Sequence, residues 1–295
     1  MKKTLIILGL CILAGTIAIS SCNRDDFSVA EEEDLLQQAE NEAVTEMVLQ
    51  NIEDQIDKEI NLLESANYNP ATLKSAEAGA CSPVITVETP EKSKFPKTIT
   101  LDYGSGCTDS NGNFRAGKVI VQITGPYWEK NTVRIARLVD YLFNDLKVAG
   151  ERREMNKGTN ESGYYLFEVK HSLKITKAAN GELVSDRGWN RERIYDRGKD
   201  LKTNTDDQVW ISGSAKVEKN GKTLVKEITK PLYRMMTCKY FMSGEITTFI
   251  NKEKTTSLDY GDGSCDDQAT WTNFKTNKTK TITLKPGINY FSIQK

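Results

Sequence analysis

The chain has 295 residues, 38% of them hydrophobic and 27% charged, and its formal net charge is −1 at pH 7. This length is enough for one large domain or two small ones. Its single histidine, His171, excludes zinc sites that need two imidazole ligands. Catalysis of the Ser-His-Asp or Cys-His type could use only this residue, and no Gly-x-Ser-x-Gly motif accompanies it.

Residues 1–21 have the features of an export signal. Lys2 and Lys3 precede an apolar run from Leu5 to Ile19, which has 15 residues and is too short for a membrane-spanning helix of about 20. The stretch Ile19-Ser20-Ser21-Cys22 resembles the lipobox of bacterial lipoproteins. That resemblance implies cleavage before Cys22 and a lipid on its sulfur; the alternative is an ordinary cleaved signal in which Cys22 is incidental.

Acidic residues follow the cysteine directly. Asp25 and Asp26 resemble the surface-export signal of lipoproteins from the phylum Bacteroidetes. The resemblance implies an outer-membrane, lipid-anchored protein that is exposed on the cell surface, with a periplasm-facing anchor as the alternative. The membrane is then a partner through the anchor, and nucleic acid is not expected outside the cytoplasm.

A lipidated tether at 22–28 leads into a predicted acidic, amphipathic helix over 29–66. Ser28 and Glu31 form a capping box at its start. Its apolar residues recur every three to five positions, which places them on one face, and Pro70 follows its end. Small and polar residues at 67–80 indicate a linker. The apolar positions are Leu36, Ala39, Ala43, Met47, Ile52, Ile56, Ile60 and Leu63.

The near-neutral total hides a strong asymmetry of charge. Residues 30–65 carry twelve acidic side chains and one basic one, and residues 66–295 carry a net charge of +9. The simplest interpretation is an independent, solvated helix beside an ordinary lysine-rich surface. Two alternatives are that the helix folds back on the basic domain, or that this domain faces an anionic partner such as lipopolysaccharide or an acidic glycan.

Residues 81–295 have the alternating pattern of β-strands. Residues 98–103, 118–123 and 164–175 alternate with period two, and Asn220-Gly221 separates two alternating runs in the manner of a β-hairpin. The tail adds runs at 279–284 and 290–293. About a dozen short strands are expected, so the chain is predicted to be mainly β, with an antiparallel β-sandwich or open barrel behind the N-terminal helix.

Two stretches of this domain repeat one another. Leu101-Asp102-Tyr103-Gly104 precedes Cys107, and Leu258-Asp259-Tyr260-Gly261 precedes Cys265. A further cysteine lies upstream of each, Cys81 by 26 residues and Cys238 by 27. Four cysteines in an exported domain allow three connectivities or free thiols, and the matched spacings favour Cys81–Cys107 and Cys238–Cys265. Each bond would stabilise by roughly 3–4 kcal/mol.

The same stretches, within 95–107 and 258–266, carry a resemblance to a family. From about Cys81 to Leu284 the chain resembles a set of uncharacterised outer-membrane lipoproteins of the Bacteroidetes type, with paired Tyr-Gly-x-Gly/Cys turns. The resemblance implies an exported, lipid-anchored and mostly β protein. It implies no activity.

Two clusters of side chains are candidate sites. Arginines and tryptophan within 186–198 could bind an acidic glycan, because guanidinium groups pair with carboxylates and aromatic rings stack on sugars. The alternative is a strand with outward arginines paired to acids across the sheet. Carboxylates within 259–267 could bind calcium, although Asp-Gly pairs also serve ordinary turns. The residues concerned are Arg187, Trp189, Arg191 and Arg193 for the glycan, and Asp259, Asp262, Asp266 and Asp267 for calcium.

These features support a non-enzymatic binding or interaction module at the cell surface, with an anionic glycan or an envelope protein as partner. A structural fimbrial or envelope-assembly subunit is the main alternative, and a secreted glycan-acting enzyme is a third. The sequence names no catalytic residue and, apart from the calcium candidate, no cofactor.

Overall fold

The computed structural model describes residues 29–72, 81–89, 95–199, 205–219 and 222–284. The predicted leader, Cys22 and the alternating run at 290–293 lie outside these ranges, as does the predicted turn Asn220-Gly221. The first element of the described residues is helix α1 (Val29–Ser65), close to the predicted bounds. A single 3-10 turn at Pro70–Thr72 follows it.

All the strands belong to one antiparallel sheet. Neighbours in space are neighbours in sequence, in the order β1-β2-β4 and then onward to β14, and β3 pairs only with β4. The prediction of a mainly β chain behind an N-terminal helix is confirmed, and the architecture is one open sheet rather than two packed sheets. The strands are β1 (Val84–Glu88), β2 (Lys97–Asp102), β3 (Cys107–Thr108), β4 (Phe114–Ile123), β5 (Val133–Phe143), β6 (Leu146–Thr159), β7 (Tyr165–Lys177), β8 (Leu183–Asp196), β9 (Gln208–Lys219), β10 (Lys222–Met235), β11 (Ser243–Ile250), β12 (Glu253–Asp262), β13 (Gln268–Asn273) and β14 (Lys278–Thr283).

The sheet curves around α1. Side chains of the helix bond to strands as far apart as β4 and β10, and its backbone packs near β8, β12 and β13. Val44, Val48, Ile56 and Ile60 are almost completely buried and belong to the same hydrophobic core as the inward face of the sheet. The solvated-helix interpretation is therefore wrong, and the alternative in which the helix folds back on the basic domain is the one observed.

The length of the helix explains the length of the strands. A helix of 37 residues extends about 55 Å at 1.5 Å per residue. Strand β8 runs along this helix, because its Arg187 and Arg193 pair with Glu42 and Asp57, and β6, β8 and β10 have 14 residues each. The expectation of about a dozen short strands came from local alternation and turn signals, which do not register the length of the helix.

Both predicted disulfide bonds are confirmed, as Cys81–Cys107 and Cys238–Cys265. The first joins the segment before β1 to β3. The second joins the loop after β10 to the loop after β12. Each bond thus fixes a connection at the border of the sheet.

The repeated Leu-Asp-Tyr-Gly stretches have the same local structure. In each copy the leucine and tyrosine are buried. The aspartate between them accepts a hydrogen bond from the glycine two positions later, Asp102 from Gly104 at 2.8 Å and Asp259 from Gly261 at 2.9 Å. This bond lies at the end of β2 in the first copy and within the last residues of β12 in the second, and a disulfide cysteine follows in both.

Candidate functional site

The four residues predicted to bind a glycan lie on the concave face of the sheet, under the helix. Trp189, Arg191 and Arg193 are buried on β8, and Arg187 is nearly so. The guanidinium of Arg191 lies 4.4 Å from the ring centre of Trp189. The alternation along β8 is as predicted, but the arginines point inward to the helix rather than outward to solvent. A glycan would have to displace α1 to reach them.

The helix offers these arginines a stripe of carboxylates. Glu42, Glu46, Glu53 and Asp57 are separated by four, seven and four residues, which places them on one face of a helix. All four are buried. The carboxylates of this stripe, the cations that face them and Glu154 of β6, which pairs with the same cations, are called here the charge network.

The contacts of the charge network follow β8 along the helix. Arg187 donates to Glu42, and Arg191 donates to Glu46. Arg193 donates to Asp57 at 2.8 Å. Neighbouring strands supply two further donors, Lys226 to Glu42 and Arg152 to Glu53 at 2.8 Å, and Arg134 forms an ion pair with Asp57 at 2.6 Å.

Glu154 on β6 is the centre of the charge network. Its two oxygens accept from Arg134 at 2.9 Å and from Arg152 at 2.5 Å. The hydroxyl of Tyr127 donates to the same carboxylate at 2.8 Å. Glu154 is 1% exposed, so it balances charge that water cannot reach. The sequence analysis missed Glu154. The other acids of the charge network lie on the helix, whereas Glu154 lies on β6, where a single acid in an alternating strand does not stand out.

Burial and neighbouring cations act in opposite directions on these carboxylates. Burial alone would raise the pKa of Glu42, but Arg187 and Lys226 hold it at about 2. Arg152, Arg134 and Arg193 likewise overcome burial and keep the pKa of Glu154 well below its usual range. For Glu46 burial prevails over the attraction of Arg191, and its pKa is raised.

Replacing Glu42 with glutamine should lower the free energy of unfolding at pH 7 by roughly 3 kcal/mol, since its pKa falls from 4.5 to about 2 on folding. The folded protein binds this proton less tightly than the unfolded chain does. The stabilisation is therefore complete above pH 4.5 and is lost as the pH falls towards 2.

Urea unfolding of the wild type and Glu42→Gln at several pH values between 7 and 3 measures this difference. The difference in free energy of unfolding between the wild type and Glu42→Gln should decrease steadily below pH 4.5. Glu161→Gln, at an exposed turn position, is the matched control and should show little difference at any pH. A difference for Glu42→Gln that stays constant with pH would contradict the ion pairing.

His171 lies on β7 beneath the helix and is 5% exposed. Burial, followed by the nearby Arg191 and Arg152, keeps its pKa well below 6.5. Neither ring nitrogen has a hydrogen-bond partner among the described residues. The imidazole is thus a neutral part of the interior, away from solvent.

Three of the four aspartates considered for calcium serve turns and a surface ion pair, and Asp267 accepts a hydrogen bond from the described residues only through its backbone oxygen, from Leu284. Asp259 accepts from Lys230 at 2.9 Å, Asp262 from the backbone of Ser264, and Asp266 from the backbone of Gln268. Within the described ranges, no three potential metal ligands converge on one point. The carboxylates of Asp259, Asp262 and Asp266 are therefore occupied as caps of the β12–β13 loop.

An open cleft of about 480 Å³ lies where one stripe of α1 remains uncovered by the sheet. Its floor is the helix, at Met47, Asn51, Asp54 and Lys58. One wall is the hairpin from Asp109 to Arg115 with Cys81, and the other is the segment from Arg234 to Lys239 with Cys238. Both disulfides therefore border this opening, which is called here the seam cleft.

The two arginines of the seam cleft are held by neighbours. Arg115 donates to Asp109 at 2.6 Å and to Asn51 at 2.5 Å. Arg234 donates to Asp54, and more distantly to the carbonyl of Cys238 at 3.4 Å. These bonds connect both walls of the cleft to the helix floor, so that the cleft has a fixed shape.

The residues of the charge network had a signal in the sequence that the analysis did not use. The acids at 42, 46, 53 and 57 follow a helical spacing of their own beside the apolar stripe. In β5, Arg134 occupies the same inward phase as the buried Ala136 and Leu138. A charged side chain in phase with buried apolar ones indicates an internal partner.

Comparison with protein-family models, with curated proteins and with solved structures finds no match for this chain. Among the described residues, no helix is both long enough and apolar enough to cross a bilayer.

Proposed function

We propose that the protein is a lipid-anchored, non-enzymatic binding module of the outer membrane, displayed on the cell surface. Lipid on Cys22 is the anchor, and the sheet domain is the part that meets a partner. The leader, the cysteine after it and the acidic residues at 25 and 26 are the sequence features on which this proposal rests.

One structural observation supports it most strongly, which is that α1 is buried in the domain rather than extended as a stalk. Six residues separate Cys22 from Val29, and seven peptide units reach about 25 Å at most. An anchor at Cys22 would therefore hold the sheet domain beside the bilayer. The partners within its reach are molecules at the membrane surface.

Protease shaving of intact cells, with an antibody against residues 81–295, tests the location. The wild type should be found in the membrane fraction and should lose its signal rapidly. Cys22→Ala should leave the membrane fraction, whereas Cys11→Ala, which changes the cysteine inside the leader, should not. Replacing Asp25 and Asp26 with asparagine should protect the protein until the outer membrane is broken.

Two results would contradict the proposal. If the wild type and Cys22→Ala distribute alike, the protein is not anchored through this cysteine. If the wild type is protected in intact cells, it faces the periplasm, and a role in envelope assembly becomes the better account.

A further inference from the structure

The seam cleft contains two lysines that form no close ion pair among the described residues. Lys58 on α1 and Lys239 after β10 are both exposed, and the acid that interacts with Lys58 from the next position of the helix, Glu59, lies outside the lining of the cleft. The arginines beside them are paired with Asp54 and Asp109. A ligand in the cleft therefore meets a net charge of about +2, from the ammonium group of Lys58 on the floor and that of Lys239 on one wall.

The rest of the lining is neutral and polar, with a small apolar part. Side-chain amides come from Gln55, Asn111 and Asn113, and Phe143 and Met236 add apolar surface. The amides of Gln55 and Asn111 reach solvent, so they can exchange hydrogen bonds with the hydroxyl groups of a ligand.

From this lining we infer that the seam cleft binds a short acidic saccharide of one or two sugar units. A volume of about 480 Å³ lies within the range of small-molecule pockets, about 300 to 1,000 Å³. The hydroxyl groups of a sugar can bond to the amide side chains, and the two carboxylates of a diuronic acid complement the positive charges of Lys58 and Lys239. The charge on these lysines discriminates against neutral sugars.

This inference rests on the proposed binding role but not on the anchor. Its test uses the full-length protein purified in detergent, so it can fail while the surface location holds, and it can succeed if the protein faces the periplasm.

Titration calorimetry with digalacturonic acid is the test, with lactose as the neutral disaccharide and inorganic phosphate as the simple anion. Digalacturonic acid should bind, and lactose and phosphate should bind at least about tenfold more weakly. Lys58→Gln and Lys239→Gln should each weaken the binding of digalacturonic acid by about tenfold. Lys174→Gln, at an exposed position on β7, is the matched control and should bind as the wild type does.

Each contrary result has a definite meaning. Absence of binding by digalacturonic acid would overturn the inference, and so would equal binding of lactose. Equal binding of phosphate would show that the cleft recognises charge without the sugar. Unchanged affinity in Lys58→Gln and Lys239→Gln would place the ligand elsewhere. Both lysines are exposed, so these variants should unfold at the same temperature as the wild type.

Discussion

Glu154→Ala should lower the free energy of unfolding by about 4 kcal/mol, the largest single effect that the structure predicts. Glu154 holds Arg134 and Arg152 at hydrogen-bond distance in a region that is closed to water. Removing it leaves these cations with fewer carboxylates, and an uncompensated buried charge is far more costly than a lost surface pair.

A neighbouring glutamate on the same strand is the control. Glu151 pairs with Arg137 on the outer face, where its side chain is 43% exposed. Exposed pairs contribute little, so Glu151→Ala should cost less than about 1 kcal/mol. Urea unfolding measures both variants, and a similar loss in the two would show that the charge network is not sealed from solvent.

Ile60→Ala should lower the free energy of unfolding by about 3 kcal/mol. Ile60 lies on α1 and is fully buried in the core shared by the helix and the sheet. Truncating it removes buried methyl groups and leaves a cavity that a packed interior cannot fill.

Leu62, two residues further along the same helix, is the matched control because it is 41% exposed. Leu62→Ala should cost less than about 1 kcal/mol. Both variants change the intrinsic helix preference in the same direction, so the difference between them reports packing. Equal and small losses would indicate a helix that is not enclosed by the sheet.

The charge network gives the helix a defined position in the sheet. Buried ion pairs add little net stability compared with apolar contacts, because both partners lose their hydration. A helix that slid by one turn would place Glu46 near Arg187 and would leave Arg191 without Glu46. The guanidinium of Arg191 would then be a buried charge without a partner. The apolar core holds α1 in the sheet, and the carboxylate stripe sets its register.

Features with local causes were predictable from the sequence. Pro70 follows the end of α1, the alternation marks β2 and β14, and the matched cysteine spacings identify both disulfides. Each depends on residues close in the chain or on a repeat that can be counted.

The site depended on long-range pairing, and the sequence did not reveal it. From the sequence of the helix alone, acids such as Glu53 and Asp57 are read as solvent-exposed. Only the identity of the cations that pair with them shows that they are buried. Their partners Arg152 and Arg193 are 99 and 136 residues away. The direction in which Arg191 points likewise depends on which face of β8 the helix covers. Alternation gives the two faces of a strand but not which one is inside.

The central claim is that α1 is enclosed by the sheet, and amide hydrogen exchange of residues 42–60 tests it most directly. If the helix is the core of the domain, its peptides should exchange as slowly as those of β6 to β8, through global unfolding. Exchange of these helix peptides within seconds, while the sheet stays protected, would contradict this claim and would indicate an independent, solvated helix.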